Sequence, residues 1–477
     1  SNTVFIGAND SMMHAFNAAT GAELFAYIPG IVNLTNLKTL ADKAYDHRYF
    51  VDGPLAVSAK KLTPNKNILV GSLGRGGKGL YALDVTTPAT FDGSKALWEV
   101  SGSDDDMGFI TSRPIITKAN NGSTVVIVSN GLNSTNDDPA LFIYDLFTGT
   151  RLAKLLPIEK GGNDVFDNNG LSAATGVDQD VDGDVDYMYA GDMKGNVWKF
   201  DLSDNNPNNW EVANNDYPLY SAKDSTGTIT QSISGGIAIG FDAEFNPWLY
   251  FGTGRYLTAG DPSTTSVQTW YGIVDESTNT TIAGRGALKA RKIVAAGELD
   301  NGSGTGVKVR AFEPQEFPSG VSDMYGKKGW YIDLVNPPFT AAQKVGERIV
   351  GTPVVRGTTV LVSSIIPSED PCTVEGSGYV NAVDALTGSS GVYGSESYFD
   401  VNGGGFDNDK LVSTIDGREI SIGSIDLGIK MPTDALVLAG DTNELVVVGG
   451  SIGGTGSAPF RGTRAVGRIS WHEKINN

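Results

Sequence analysis

Cysteine is almost absent. Cys372 stands alone in 477 residues, so no disulfide can close within the chain. It sits in a polar loop, and a bridge would need a cysteine from outside this stretch. Histidine is equally scarce: His14, His47 and His472 lie far apart, and none has the spacing of a zinc or facial-triad site. No Gly-x-Ser-x-Gly elbow occurs, which removes the commonest local sign of a hydrolase. No apolar run is long enough to span a bilayer. Basic residues are outnumbered, 36 Lys and Arg against 55 Asp and Glu, for a net charge of −19. That balance argues against nucleic acid and against anionic membrane surfaces as partners. With charged residues at only 19%, the chain is no disordered polyelectrolyte either.

What the chain has in excess is glycine, 61 residues, and one run of carboxylates. Residues 176–190 read Gly-Val-Asp-Gln-Asp-Val-Asp-Gly-Asp-Val-Asp-Tyr-Met-Tyr-Ala. Asp178, Asp180, Asp182, Asp184 and Asp186 recur at every second residue, and so many like charges repel one another unless a cation intervenes. Calcium takes six to eight oxygens, and a tight loop offers them at alternate positions. Asp178, Asp180 and Asp182 fall at positions 1, 3 and 5, with Gly183 at the sharp turn of position 6. Asp184 at position 7 is expected to offer its main-chain carbonyl while its carboxylate faces solvent, and Asp186 closes the loop at position 9. Position 12 is Tyr189 rather than the glutamate of an EF-hand, and residues 187–190 read as a strand. The loop therefore lies between strands and resembles the propeller calcium loops of integrin α-chains. The bland alternative is a solvated acidic turn.

A strand–turn–strand pattern recurs along the chain. It begins at residues 4–25 and reappears at 68–84, 125–149, 187–201, 248–275, 360–388 and 445–471, nearly always closing on Asp or Asn before a turn. One such meander cannot bury both its faces, whereas sheets packed radially can. The expected fold is all-β, a seven-bladed β-propeller forming a single domain over residues 1–477, and a β-sandwich pair or a parallel β-helix fits the repeat less well. Residues 31–45 carry Leu34, Leu37 and Leu40 at helical spacing. Residues 204–209, 297–306 and 395–416 read as polar, glycine-rich loops. Asp104, Asp105 and Asp106 form a second acidic cluster, either a weaker cation site or a solvated turn. The literal G-x-G-x-x-G at residues 74–79 runs into a strand rather than a helix, so it reads as a hairpin loop and not a phosphate site. His14 lies in a strand and is expected to serve in packing. The chain starts at Ser1 without a signal peptide and is in a strand by Val4, so it is expected to be cut from a longer protein.

The first repeat (Ala-Asn-Asp-Ser at 8–11, His-Ala-Phe-Asn-Ala-Ala-Thr-Gly-Ala-Glu-Leu-Phe at 14–25) resembles quinoprotein-type blades. With Tyr-Phe-Val-Asp-Gly at 49–53, Asp-Asp-Asp-Met-Gly at 104–108, the carboxylate loop, Asn-Val-Trp-Lys-Phe-Asp at 196–201, Tyr-Phe-Gly-Thr-Gly-Arg-Tyr at 250–256 and Gly-Arg-Ile-Ser-Trp at 467–471, the chain resembles the C-terminal domain of the PilY/PilC family. These are type IV pilus biogenesis factors and tip-associated adhesins of Gram-negative bacteria. The resemblance implies a modified seven-bladed propeller with long inserted loops. It implies a Ca²⁺ site with Asp178, Asp180, Asp182 and Asp186 as side-chain ligands and Asp184 as a carbonyl ligand. It further implies calcium control of pilus extension against retraction, twitching motility, contacts with pilins or minor pilins, attachment to a host cell surface, and an extracellular or outer-membrane location. Arg-Gly-Asp is absent, so integrin binding does not carry over. The alternatives are a quinone-dependent dehydrogenase propeller, which typically needs eight blades and a vicinal cysteine pair, and a generic calcium-dependent adhesion propeller. No enzymatic activity is expected.

Overall fold

Short runs of β-branched and aromatic residues, bounded by Asp, Asn and Gly turns, become antiparallel strands in a computed structural model that describes residues 2–157, 168–368, 376–439 and 443–462. The chain divides into two compact units, residues 1–237 with 277–284, and residues 238–276 with 285–477.

The first unit opens with a three-stranded sheet, Thr3–Gly7, Met13–Asn17 and Glu23–Tyr27. Three meanders follow. Blade 1 contains Leu55–Val57, Ile68–Ser72, Gly79–Asp84 and Ala96–Ser101. Blade 2 contains Ile115–Lys118, Thr124–Ser129, Leu141–Asp145 and Arg151–Leu155. Blade 3 is built on Thr175–Val177, Tyr187–Gly191 and Asn196–Asp201, and two short strands, Glu211–Val212 and Tyr220–Ser221, both pair with the last of these.

The second unit holds three more. Blade 4 runs Ala238–Phe241, Pro247–Gly252, Thr269–Val274 and Gly329–Asp333, with Lys289–Arg291 added in parallel. Blade 5 runs Val354–Arg356, Thr359–Ile366, Ser377–Asp384 and Glu419–Ile425, and continues into the hairpin Gly306–Phe312 and Ile293–Asp300. That hairpin includes residues expected as a polar loop. Blade 6 is Leu436–Leu438, Glu444–Gly449 and Thr455–Phe460.

The fold is thus an all-β propeller of six blades, and the seven-bladed expectation is corrected. The strands of the described residues form seven sheets, but the N-terminal sheet is not built as a blade. In blades 1 to 5 the central strand is buried at every residue but at most one, as in Ile68–Ser72 or Pro247–Gly252, because both its faces are covered, whereas Met13–Asn17 at the centre of the N-terminal sheet is buried at only two residues. The N-terminal sheet lays one face, through Phe5, Met13, Phe25 and Tyr27, on the core around Leu69, Tyr81 and Leu83. Its other face stays open, with Val4 52% and Ile6 53% exposed. In the sixth blade Glu444–Gly449 pairs with Thr455–Phe460, while residues 465–471, expected as its partner, lie outside the described residues. Residues 467–471, expected to complete the blade of the first repeat, lie outside the described residues, as does Cys372.

Between blades 1 and 2 the core is extensive and apolar. Ile68, Val70, Leu80 and Ala82 of blade 1 meet Val126, Val128, Phe142 and Tyr144 of blade 2. Each fully buried aliphatic or aromatic side chain of this kind contributes about 1.5–3 kcal/mol. A polar peg marks two seams between blades. Trp98 donates its indole N–H to the carbonyl of Leu146 at 2.8 Å, and Trp330 donates to the carbonyl of Ala385 at 2.7 Å. The ring rests on a Thr-Gly turn in each case, and a Cβ on Gly149 would strike Trp98 while one on Gly388 would strike Trp330. Both glycines also have positive φ, 69° and 65°, which other residues adopt poorly. Asp145 and Asp384 hold these turns by accepting the N–H of Thr148 at 2.9 Å and of Thr387 at 3.0 Å.

His14 does more than pack. Its ring nitrogens lie 2.6 Å from Glu23 and 2.9 Å from Asp10. The bond to Glu23 first, and Asp10 after it, outweigh burial and hold its pKa above the ordinary 6.5. A group raised on folding stabilises fully below its unfolded value, and the contribution fades as pH rises through the folded one. An NMR titration of His14 should therefore give a midpoint above 6.5. Amide exchange in Met13–Asn17 should quicken above that midpoint, and His14→Gln should flatten the dependence. A midpoint at or below the ordinary value would refute the assignment.

Candidate metal centre

The carboxylate loop connects two strands of blade 3, Thr175–Val177 and Tyr187–Gly191, with Val177 opposite Tyr187 in register. The ladder continues one step, since the Asp186 N–H donates to the Val177 carbonyl at 2.8 Å. Residues 178–186 must then turn tightly, and two left-handed residues do it: Val181 at φ 61° and Gly183 at φ 101°. For exposed, β-branched Val181 that conformation costs on the order of 1–3 kcal/mol, so the surrounding contacts hold it there.

Those contacts are main-chain amides aimed at carboxylates. Asp178 accepts the N–H of Asp182 at 3.1 Å and of Gly183 at 2.8 Å. Asp180 accepts the N–H of Asp182 at 3.2 Å, and Asp186 accepts that of Gln179 at 2.7 Å. One oxygen each of Asp178, Asp180 and Asp186 lies within 4.8 Å of the others. This acidic triad can hold a metal ion. Its donors are all hard carboxylate oxygens, the chemistry of calcium or magnesium rather than of a soft metal. Asp180 has its carboxyl pushed up, first by lost hydration and then, against an opposing amide bond, by the charges of Asp182, Asp186 and Asp178.

The five predicted residues are not equivalent. Asp182 stands outside the triad, with one oxygen accepting the Asp184 N–H at 2.8 Å. Asp184 departs from expectation: its carboxylate does not face solvent but is buried against the Lys118 ammonium at 2.8 and 3.0 Å. The bond to Asp184 in turn raises the Lys118 pKa. Lys118 ends the first strand of blade 2, and its carbonyl accepts the Val185 N–H at 2.9 Å. Asn120, two residues on, donates to Asp186 at 3.1 Å and to the carbonyls of Val185 and Leu202 at 3.0 and 3.1 Å. Blade 2 therefore orients the loop of blade 3. Neither Lys118 nor Asn120 was identifiable from the sequence, since a lone lysine and a turn asparagine 66 residues from their partners carry no local signal.

The second acidic cluster is satisfied by protein cations. Asp104 pairs with Arg151 and Lys154, and Lys154 reaches Asp106 at 2.7 Å. The glycines at 74–79 form a hairpin loop between Ile68–Ser72 and Gly79–Asp84, as expected. Among the described residues no helix is long and apolar enough to cross a membrane.

Comparison with known proteins bears on this loop and this fold together. The PilY1 β-propeller domain model matches residues 1–302. The Type IV pilus biogenesis factor PilY1 homolog of Xylella fastidiosa is 38% identical over 400 residues, covering 81% of this chain and 26% of that protein. Type IV pilus biogenesis factor PilY1 of Pseudomonas aeruginosa is 32% identical over 416 residues, 81% of this chain and 34% of that protein. The chain thus spans about a third or less of the length of these relatives. The crystal structure of the P. aeruginosa PilY1 C-terminal domain is similar at a TM-score of 0.72 and 27% identity, covering 96% of this chain and 92% of that one. The family model covers more than half of the chain, so the chain belongs to the PilY1 β-propeller domain family.

Proposed function

We propose that this chain is the propeller segment of a type IV pilus biogenesis factor, that its 178–186 loop binds Ca²⁺, and that occupancy sets the balance between pilus extension and retraction. The observation that carries the reading is the convergence of Asp178, Asp180 and Asp186 on one point inside a PilY1-family propeller. Bound calcium supplies positive charge and a preference for many oxygens. The rest falls to the chain. With the charge unneutralised, the three carboxylates repel and only main-chain amides hold the turn. With it neutralised, the loop and the Lys118 and Asn120 contacts of blade 2 stiffen as one surface. A local change in order of this kind alters a docking face without unfolding the blades, since repeats contact chiefly their neighbours. The face would meet pilins or minor pilins at the bacterial surface, with host attachment as a consequence. Nothing in this role calls for catalysis.

Bacteria carrying Asp178→Ala, which empties the site, and Asp182→Lys, which places an ammonium beside it, should differ from the parent and from each other in surface pili and twitching. Normal piliation and motility in both, with calcium binding lost, would reduce the loop to a structural staple.

A further inference from the structure

A second loop repeats the construction of the first. Residues 400–409 read Asp-Val-Asn-Gly-Gly-Gly-Phe-Asp-Asn-Asp and lead into the strand Lys410–Val412 of the second unit. In the first loop the opening Asp178 accepts the N–H of Gly183, five residues on; here Asp400 accepts the N–H of Gly405, again five on, at 3.2 Å. Both glycines are left-handed, at φ 101° and 92°. Asp180 accepts an N–H two residues on, and so does Asn402, from Gly404 at 2.7 Å. The closing carboxylates match too: Asp186 accepts from Gln179 and Asp409 from Val401, each the residue after the opening aspartate.

Such similarity of loops would not by itself make a site, but Asp409 adds a different kind of observation. Asp186 has its other oxygen engaged by Asn120. Asp409 is 1% exposed, and its Oδ1 has no hydrogen-bond partner among the described residues. A buried anionic oxygen left unpaired is strongly disfavoured, and a cation is the ligand that would satisfy it. Its position is fixed by the Val401 N–H, which donates to Oδ2 at 3.2 Å. Among the described residues no lysine or arginine is paired with Asp400 or Asp409, in contrast to Asp104, Asp106 and Asp184. A cavity of about 510 Å³ borders the loop at Asp400 and Val401, with Glu298, Asp426 and Lys308 also on its wall.

We propose that residues 400–409 form a second binding site for a divalent cation of the calcium type, held by Asp400, Asn402 and Asp409. The donors are again hard oxygens, suited to a large cation with an irregular shell. The site stands on its own geometry and does not depend on the role proposed for the first loop.

The test is the stoichiometry of Ca²⁺ binding by the whole chain, by calorimetry. The parent should take up two equivalents, Asp178→Ala one, and Asp178→Ala with Asp400→Asn none. Asn402 is exposed, so Asn402→Ala should keep the melting profile of the parent and weaken only the second equivalent. Loss of all binding in Asp178→Ala, in a protein whose circular dichroism is unchanged, would overturn the second site. A single equivalent that survives Asp178→Ala and disappears with Asp400→Asn would uphold it and overturn the first. No binding by the parent would overturn both.

Discussion

Calcium added to the chain in an Asp400→Asn background should raise its melting temperature, and Asp178→Ala should abolish the rise. At one hundred times the dissociation constant, a site that exists only in the folded state stabilises by about 2.7 kcal/mol. For a unit of this size that corresponds to a shift of roughly 5–10 °C, reversed by a chelator. The alanine variant loses an anionic ligand together with the acceptor of two main-chain amides, those of Asp182 and Gly183. Without metal the sign should differ. Removing one of several mutually repelling carboxylates relieves repulsion, so the apo variant should melt no lower than the apo parent by more than the two lost hydrogen bonds allow, about 1 kcal/mol each. Magnesium should substitute poorly, because it demands a small octahedral shell and gives up water reluctantly. A parent and a variant that respond equally to calcium would remove the metal from this loop.

Arg310→Met should be the most damaging single change in the second unit. Arg310 is fully buried on the strand Gly306–Phe312, where it fastens the added hairpin to blade 5. Its guanidinium forks onto Glu347 at 2.7 and 2.9 Å, reaches Asn381 at 2.7 Å and Ser424 at 3.1 Å, and stacks 3.7 Å from the centre of the Tyr379 ring. Glu347 also accepts from Ser364. Removing one partner of such a pair leaves a buried, uncompensated charge and costs about 3–5 kcal/mol. In a unit of this size the melting temperature should fall by roughly 10 °C. Arg310→Met with Glu347→Leu should recover much of the loss, because the desolvation of both charges then disappears together. A single variant that melts like the parent, or a double variant no better than the single, would show that the network contributes little.

The strand pairs were legible because a hairpin is a local object. Two short apolar runs and a closing aspartate before a turn lie within one short window, and the pairings from residues 68–84 to 360–384 follow that pattern. The number of blades was not legible. Residues 4–25 carry the same local pattern, but how completely neighbours bury the central strand, here Met13–Asn17, is decided elsewhere in the chain. The hairpin of Ile293–Asp300 and Gly306–Phe312 was obscured by the glycines and polar residues around its turn. At the candidate metal centre, carboxylate spacing identified the triad, while Lys118 and Asn120 became visible only once blade 2 was placed beside blade 3. The 400–409 loop escaped because its closing aspartate stands one residue later, relative to the opening one, than in the first loop, and Asn402 and Gly404 replace two of the acids.

The indole pegs at Trp98 and Trp330 carry a consequence for how the chain acquires its shape. Each joins a strand to a turn only 48 and 55 residues further along, so no seam of this type waits for the far end of the polypeptide. Contacts of short sequence separation close quickly, since little loop entropy is lost in forming them. A nascent chain appearing amino end first can therefore lock blade 1 as soon as Gly149 has emerged, and blade 4 as soon as Gly388 has. The same pairing ties two distant codons together. A larger residue in place of Gly149 has nowhere to go unless Trp98 shrinks, and a smaller residue at 98 leaves a hole that only a bulkier turn would fill. Drift at these positions is expected to come in couples, turning each seam into a heritable unit that passes between descendants whole or not at all.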